Sequence, residues 1–147
     1  ISLPSNMPKP EDLPLARKYN ELHLAGRDAD IPFEGMELTT VVAEAARMLS
    51  LEHGPEEFNV SFGGIAIGNI SLFAIPGEPF TEIGVRIKET EGWKQIMPVC
   101  LTNGCEGYFP SPAAYAAGGY EARSSHFKPH VSDKIVEGSR ELLAELK

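Results

Sequence analysis

Residues 70–101, ISLFAIPGEPFTEIGVRIKETEGWKQIMPVCL, decide how this chain folds. The run from Ile70 to Ile75 is short and almost wholly apolar, as expected of a strand covered on both faces. Pro76-Gly77 ends it. From Phe80 to Thr90 the period changes, and Phe80, Ile83, Gly84 and Ile87 share one side of a helix. Ile96 to Leu101 is a second apolar strand. Strand, helix and strand in succession imply two parallel strands joined by a right-handed crossover. Parallel strands put their carboxyl ends on one edge, where open α/β sheets bind ligands. Two unusual segments leave that edge. Pro76-Gly77-Glu78 follows the first strand, and Asn103 to Tyr120 follows the second.

Upstream of this unit, Phe58, Val60 and Phe62 alternate with polar residues, as in a half-buried strand. Gly63-Gly64 reads as a break or bulge, after which Ile65 to Ile67 continues to a Gly68-Asn69 turn. Two helices come earlier. Pro14 to Ala25 has proline in its first turn and Gly26 as its stop. Met36 to His53 carries Leu38, Val41, Val42, Ala45, Met48 and Leu49 at helical spacing, closed by Gly54-Pro55. Val131 to Leu146 is the last helix, with Ile135, Leu142, Leu143 and Leu146 facing inward. No internal repeat or low-complexity tract is present. The fold class is therefore α/β, a mixed or parallel sheet whose strand-helix-strand unit is flanked by helices. Residues 14–147 form one domain, and the proline-rich residues 1–13 read as a connector.

The 147 residues suffice for one core. Hydrophobic content of 42% and charged content of 23% are those of a soluble globular protein. A net charge of -8, with basic residues scattered, argues against nucleic acid and anionic membrane surfaces as partners. No apolar stretch is long enough to span a bilayer. The chain starts on Ile, and its first residues have neither the charged nor the apolar region of a signal peptide. It is expected to be a fragment or a processed chain whose upstream part is missing. Cys100 and Cys105 are too few for a disulfide framework and read as free thiols, so the sequence assigns no compartment.

Several residues offer chemistry. Glu78, past a buried strand and before a helix, suits a metal ligand or a general base; the plain alternative is a carboxylate at a helix N-terminus. Tyr108, Tyr115 and Tyr120 crowd a segment that cannot be one helix or one strand. Tyr108 taken alone reads as a half-buried ring with its hydroxyl on the backbone. Tyr115, in the short helical turn PAAYAAGG, reads as packing. His126 and His130 have the four-residue spacing of a helical metal pair, but Pro129 between them opposes a continuous helix. Gly63-Gly64 lacks the lysine and spacing of a phosphate-binding loop.

The run IPGEPFTEIGVRIK, residues 75–88, resembles the PGE segment of the neutral (alkaline, non-lysosomal) ceramidases, with Thr81, Gly84 and Arg86 in matching places. The run LTNGCEGY, the following Ala-Ala-Tyr and the Gly-Tyr-Glu-Ala of residues 119–122 are similar to that family's asparagine-to-tyrosine loop and its Tyr-Glu. Ser124-Ser125 and Pro129-His130-Val131 also have counterparts, so the likeness runs from about residue 70 to the end. It implies a zinc amide hydrolase. Glu78 and Tyr108 correspond to two zinc ligands, and Tyr120 to a tyrosine beside the substrate carbonyl. The family's two upstream zinc histidines and its serine segment have no counterpart here. The resemblance therefore implies that the other ligands come from a missing upstream part or a companion chain, and that this chain alone is inactive. Pro79-Phe80 replaces the family's Phe-Thr and Cys105 replaces an aromatic residue, so the amide or lipid-like substrate need not be ceramide. A noncatalytic binding or assembly module is the other reading.

Overall fold

The computed structural model describes every residue, Ile1–Lys147, and is a mixed α/β structure. The elements are β1 (Ser2–Pro4), α1 (Leu13–Leu24), a 3-10 turn (Asp28–Asp30), α2 (Gly35–Ser50), β2 (Glu57–Asn59), β3 (Gly63–Ile67), β4 (Ile70–Ala74), β5 (Glu78–Pro79), α3 (Thr81–Lys88), β6 (Gln95–Val99), β7 (Tyr108–Phe109), α4 (Pro112–Ala117), α5 (Tyr120–Ser124) and α6 (Val131–Glu145). As the sequence implies, β4 and β6 are parallel, with α3 in the crossover between them. β3 adds antiparallel to β4 through the Gly68-Asn69 turn, giving the order β3-β4-β6. Helices α3 and α6 pack on one side of this sheet. Ile83 and Ile87 of α3 and Ile135 and Leu143 of α6 meet Phe73, Ile75 and Ile96 there, and all are buried. Helices α1 and α2 pack together, and α5 joins them against α2. No helix is long and apolar enough to cross a membrane.

Three expectations are corrected. The start is no free connector: β1 pairs antiparallel with β2, and Leu3 is fully buried in the core. Its prolines hid a strand only three residues long. Gly63-Gly64 is no break either, for both glycines lie inside β3. A β-carbon on Gly64 would lie 2.4 Å from Leu146 Cδ1, so glycine there lets the end of α6 rest on the strand. Finally, β4 is covered on one face only. Phe73 and Ile75 are buried, whereas Ile70, Leu72 and Ala74 are half-exposed.

The ends of the helices move by a few residues from their expected positions. α1 stops as anticipated: Gly26, at φ 68°, donates to His23 O while Arg27 donates to Leu22 O. α2 ends at Ser50 rather than His53. Its buried face includes Arg47, whose guanidinium donates to Asn6 O and Arg123 O. This charge is held inside by backbone carbonyls from two distant segments, a partner set that helical periodicity cannot reveal.

Candidate functional site

The two segments leaving the carboxyl edge of β4 and β6 are fastened together by main chain. Thr102 N–H donates to Ile75 O at 3.1 Å, Leu101 N–H to Gly77 O at 3.0 Å and Glu106 N–H to Pro76 O at 2.7 Å. Further along, Glu78 N–H donates to Gly107 O at 2.8 Å and Phe80 N–H to Phe109 O at 3.0 Å. These last two bonds make β5 and β7 a short parallel pair in which Glu78 lies opposite Tyr108. Residues opposed in a strand pair send their side chains to the same face. A carboxylate and a phenol thirty positions apart in sequence therefore leave the backbone side by side.

Gly77 makes this approach possible. A β-carbon there would lie 2.4 Å from the Phe109 ring and 2.7 Å from Gly107 O. Phe109 is fully buried and Gly107 O is the acceptor for Glu78, so neither can yield cheaply. The proline and glycine of the Pro-Gly-Glu run thus have local reasons. Pro76 turns the chain away beyond β4, so near Gly104 that a β-carbon there would lie 2.9 Å from Pro76 Cβ, while Gly77 admits the opposing strand.

Tyr120 opens α5 and completes the group. Its ring meets that of Tyr108 edge to face, with centroids 6.1 Å apart and planes at 76°. Burial, then the negative charges of Glu78 and Glu121 and, once they ionise, of Tyr120 and Cys105, hold the Tyr108 phenol above its ordinary range. Nearby hydrogen bonds engage Ser111, Tyr115 and Ser125 and leave the Glu78 carboxylate and the Tyr108 and Tyr120 hydroxyls free. The cluster is thus acidic, oxygen-rich and without a cation of its own.

The plain alternatives for these residues are occupied by others. The acid in the first turn of α3 is Glu82, which accepts from Ser111 Oγ at 3.1 Å; Glu78 lies outside the helix in β5. The ring that anchors its hydroxyl on backbone is Tyr115, which donates to Phe127 O at 2.6 Å and contacts Ser125 Oγ at 3.1 Å. Burial pushes the Tyr115 phenol up, and the residue packs as expected. His126 and His130 do not form a helical pair. His130 is exposed at φ 74°, ahead of α6 and 3.6 Å from Asp133. His126 is half-buried against the edge of Phe58, with its Nε2 3.3 Å from Ser50 Oγ. Burial, then the charge of Arg47, lowers its pKa against a smaller opposing effect of Glu106.

Two residues of this region escape a reading of sequence alone. Ser125, buried in the chain, donates from Oγ to Tyr108 O at 2.9 Å and accepts from Phe127 N–H at 3.3 Å, so it holds the strand that carries Tyr108. Glu121 adds a second carboxylate near the Tyr108 phenol. Only the adjacent Ser-Ser and Tyr-Glu pairs hinted at either.

A catalytic zinc takes three protein ligands from His, Cys, Asp or Glu in the common sites, with one position open. Glu78 supplies one carboxylate donor of that kind, and Tyr108 a phenol oxygen beside it. No group of three or more His, Cys, Asp or Glu residues in the chain can hold a metal ion. The donors fit zinc in part, and further ligands are needed. A cavity of about 440 Å³ is lined by Cys105, Glu106 and Gly107 together with Leu51, Phe58 and His126; Glu78, Tyr108 and Tyr120 do not line it.

No protein-family model matches this chain, and no curated protein is significantly similar to it. Among solved structures it is similar to the neutral ceramidase from Pseudomonas aeruginosa, with a TM-score of 0.52 and 23% identity. The match covers 56% of this chain and 14% of that one. At this identity the likeness is one of fold: part of the chain shares its architecture with a segment of a neutral ceramidase.

Proposed function

We propose that this chain is part of a zinc-dependent amide hydrolase of the ceramidase-like kind, acting on an N-acyl or related lipid-like amide. The observation that carries the reading is the pairing of Glu78 with Tyr108 in register, with the Tyr120 ring against Tyr108. The fold likeness and the resemblance around the Pro-Gly-Glu run and the tyrosine loop support it. In this reading Glu78 and Tyr108 hold the metal. Zinc, when bound, supplies Lewis-acid polarisation of the amide carbonyl. Tyr120 donates a hydrogen bond to the oxygen on which charge develops. Ser125 positions Tyr108 through its backbone carbonyl. The remaining ligands come from an upstream part of the same protein or from a companion chain, and the chain alone is inactive.

The test is zinc-dependent ultraviolet difference absorption of tyrosinate near neutral pH. Zinc should ionise Tyr108 by direct ligation, since a cation inverts the effect of the surrounding carboxylates. The signal should vanish in Tyr108→Phe and weaken strongly in Glu78→Gln. With the part that supplies the remaining ligands present, a missing zinc-dependent tyrosinate signal, or one unchanged in both variants, contradicts the reading. One observation favours a noncatalytic assembly module instead: the half-exposed outer face of β4. Full biological function in the Glu78→Gln and Tyr108→Phe variants would select that reading.

A further inference from the structure

Helices α1 and α2 border a second cavity, of about 380 Å³, which Glu78, Tyr108 and Tyr120 do not line. Most of its lining is apolar. Ala16 of α1 and Val41 and Ala45 of α2 are buried there, and Leu15 and Met48 stand beside them. Tyr19 of α1 and Phe33, just ahead of α2, add two half-buried rings set edge to face, with centroids 6.1 Å apart and planes at 90°. A concave space of this size, mostly apolar with a few polar groups, is the usual form of a small-molecule site.

The polar groups in the lining decide what fits. They are the carboxylates of Glu11, Asp12 and Glu44 and the guanidinium of Arg123. Arg123 is already answered: its Nε and Nη2 donate to Glu44 Oε2 at 2.8 and 2.5 Å, and its Nη1 donates to Glu37 Oε1 at 2.7 Å. Glu11 and Asp12 form no ion pair. Asp12 stands at the cap of α1, where a carboxylate ordinarily accepts from the N–H of the second or third helical residue. The second residue is Pro14, which has no N–H, and Asp12 itself has helical angles, φ -87° and ψ -21°, so that bond is not made. An apolar cavity is thus bordered by two unanswered negative charges. An uncharged apolar ligand leaves them unused, and an anion is repelled by them.

We propose that the cavity between α1 and α2 is a binding site for a small amphiphilic cation, an organic ammonium carried on an apolar or aromatic body. The body lies against Leu15, Met48 and the Tyr19 and Phe33 rings, and the ammonium meets Glu11 and Asp12. The net charge of -8 on the chain favours the approach of such a ligand. The site shares no residue with the Glu78–Tyr108 pair and holds whether or not zinc binds there.

The test is a fluorescence titration of the 147-residue chain in EDTA and low salt, so that metal plays no part and screening is small. The probe is a dansylated pentylamine, an aromatic body with one primary ammonium. Expected is saturable one-to-one binding with a blue-shifted emission. The N-acetyl form of the same probe, which has lost the charge, should bind about tenfold more weakly, as for loss of a hydrogen bond to a charged group. Methylammonium, which has the charge without the body, should not displace the probe. Glu11→Gln/Asp12→Asn should weaken the probe about tenfold and leave the N-acetyl form unchanged. Glu89→Gln/Glu91→Gln, which removes the same charge around the end of α3, should bind as the parent does. All four residues are exposed, and circular dichroism checks that both variants are folded. The proposal is overturned by absent or unsaturable binding, or by equal affinity for the charged and acetylated probes. Displacement by methylammonium, equal binding in Glu11→Gln/Asp12→Asn, or equal weakening in both double variants would overturn it as well.

Discussion

Replacing Gly77 with alanine adds a single carbon at the point where β5 and β7 meet. That carbon would lie 2.4 Å from Phe109 Cε2, 3.0 Å from Phe109 Cζ and 2.7 Å from Gly107 O. Phe109 has no exposed surface and packs tilted on Phe127 at 4.9 Å between ring centroids. Relief therefore requires the strands to part, which breaks the Glu78–Gly107 hydrogen bond or displaces a core ring. Overpacking of this kind costs about 1–3 kcal/mol, and we expect the upper half of that range because one neighbour is backbone. In a domain near this size each kcal/mol moves Tm by roughly 2–4 °C, so a fall of about 5–10 °C is expected. Gly84→Ala is the internal control. It lies within α3 with nothing inside 4 Å of the added carbon, so it should stabilise by about 0.5–1 kcal/mol. Urea and thermal unfolding of both variants measure the pair. A Gly77→Ala variant within about 0.5 kcal/mol of the parent would refute the argument that glycine is required for the convergence of Glu78 and Tyr108, since changes of that size are those of ordinary surface positions.

Ser125→Ala removes the donor to Tyr108 O and should cost about 1–3 kcal/mol in chemical denaturation; Ser125→Thr, which keeps the hydroxyl, should recover part of it. Alkaline titration of ring absorbance should place Tyr108 above the ordinary tyrosine value, and Glu78→Gln should bring it down by removing a nearby negative charge; no change in that variant would separate the two side chains. For His126 the folded-state pKa is lowered from 6.5, so the unfolded chain binds the proton more readily. Its contribution to stability is fully present above pH 6.5 and is lost as pH falls through the window between 6.5 and the lower folded value. Stability measured from pH 7.5 down to pH 5 should therefore fall less in His126→Asn than in the parent.

The β4–α3–β6 unit was legible because its apolar runs differ in period and its turns are marked by proline and glycine. The parallel order then placed Glu78 and the tyrosine loop on one edge, and the family resemblance named the partners within it. Other features depend on contacts between distant segments. Nothing local to Gly64 announces that Leu146 will lie against it, so a pair of glycines reads as a break. Leu3 sits in a three-residue strand between polar and proline residues, where no period can show. The run from Ile70 to Ile75 is apolar on both sides, and composition cannot say that one side lacks a cover within the chain. Arg47 and Ser125 are buried because carbonyls far away in sequence receive their hydrogen bonds. Such residues look like ordinary polar positions until the fold supplies the partner.

Anomalous X-ray diffraction at the zinc edge, from zinc-soaked crystals of the chain together with the part that supplies the remaining ligands, tests the zinc assignment most directly. A cation is expected about 2.0–2.2 Å from an oxygen of Glu78 and close to the Tyr108 hydroxyl, with Tyr120 beside it. Zinc bound elsewhere, with the Glu78 and Tyr108 oxygens apart or unengaged, would contradict it.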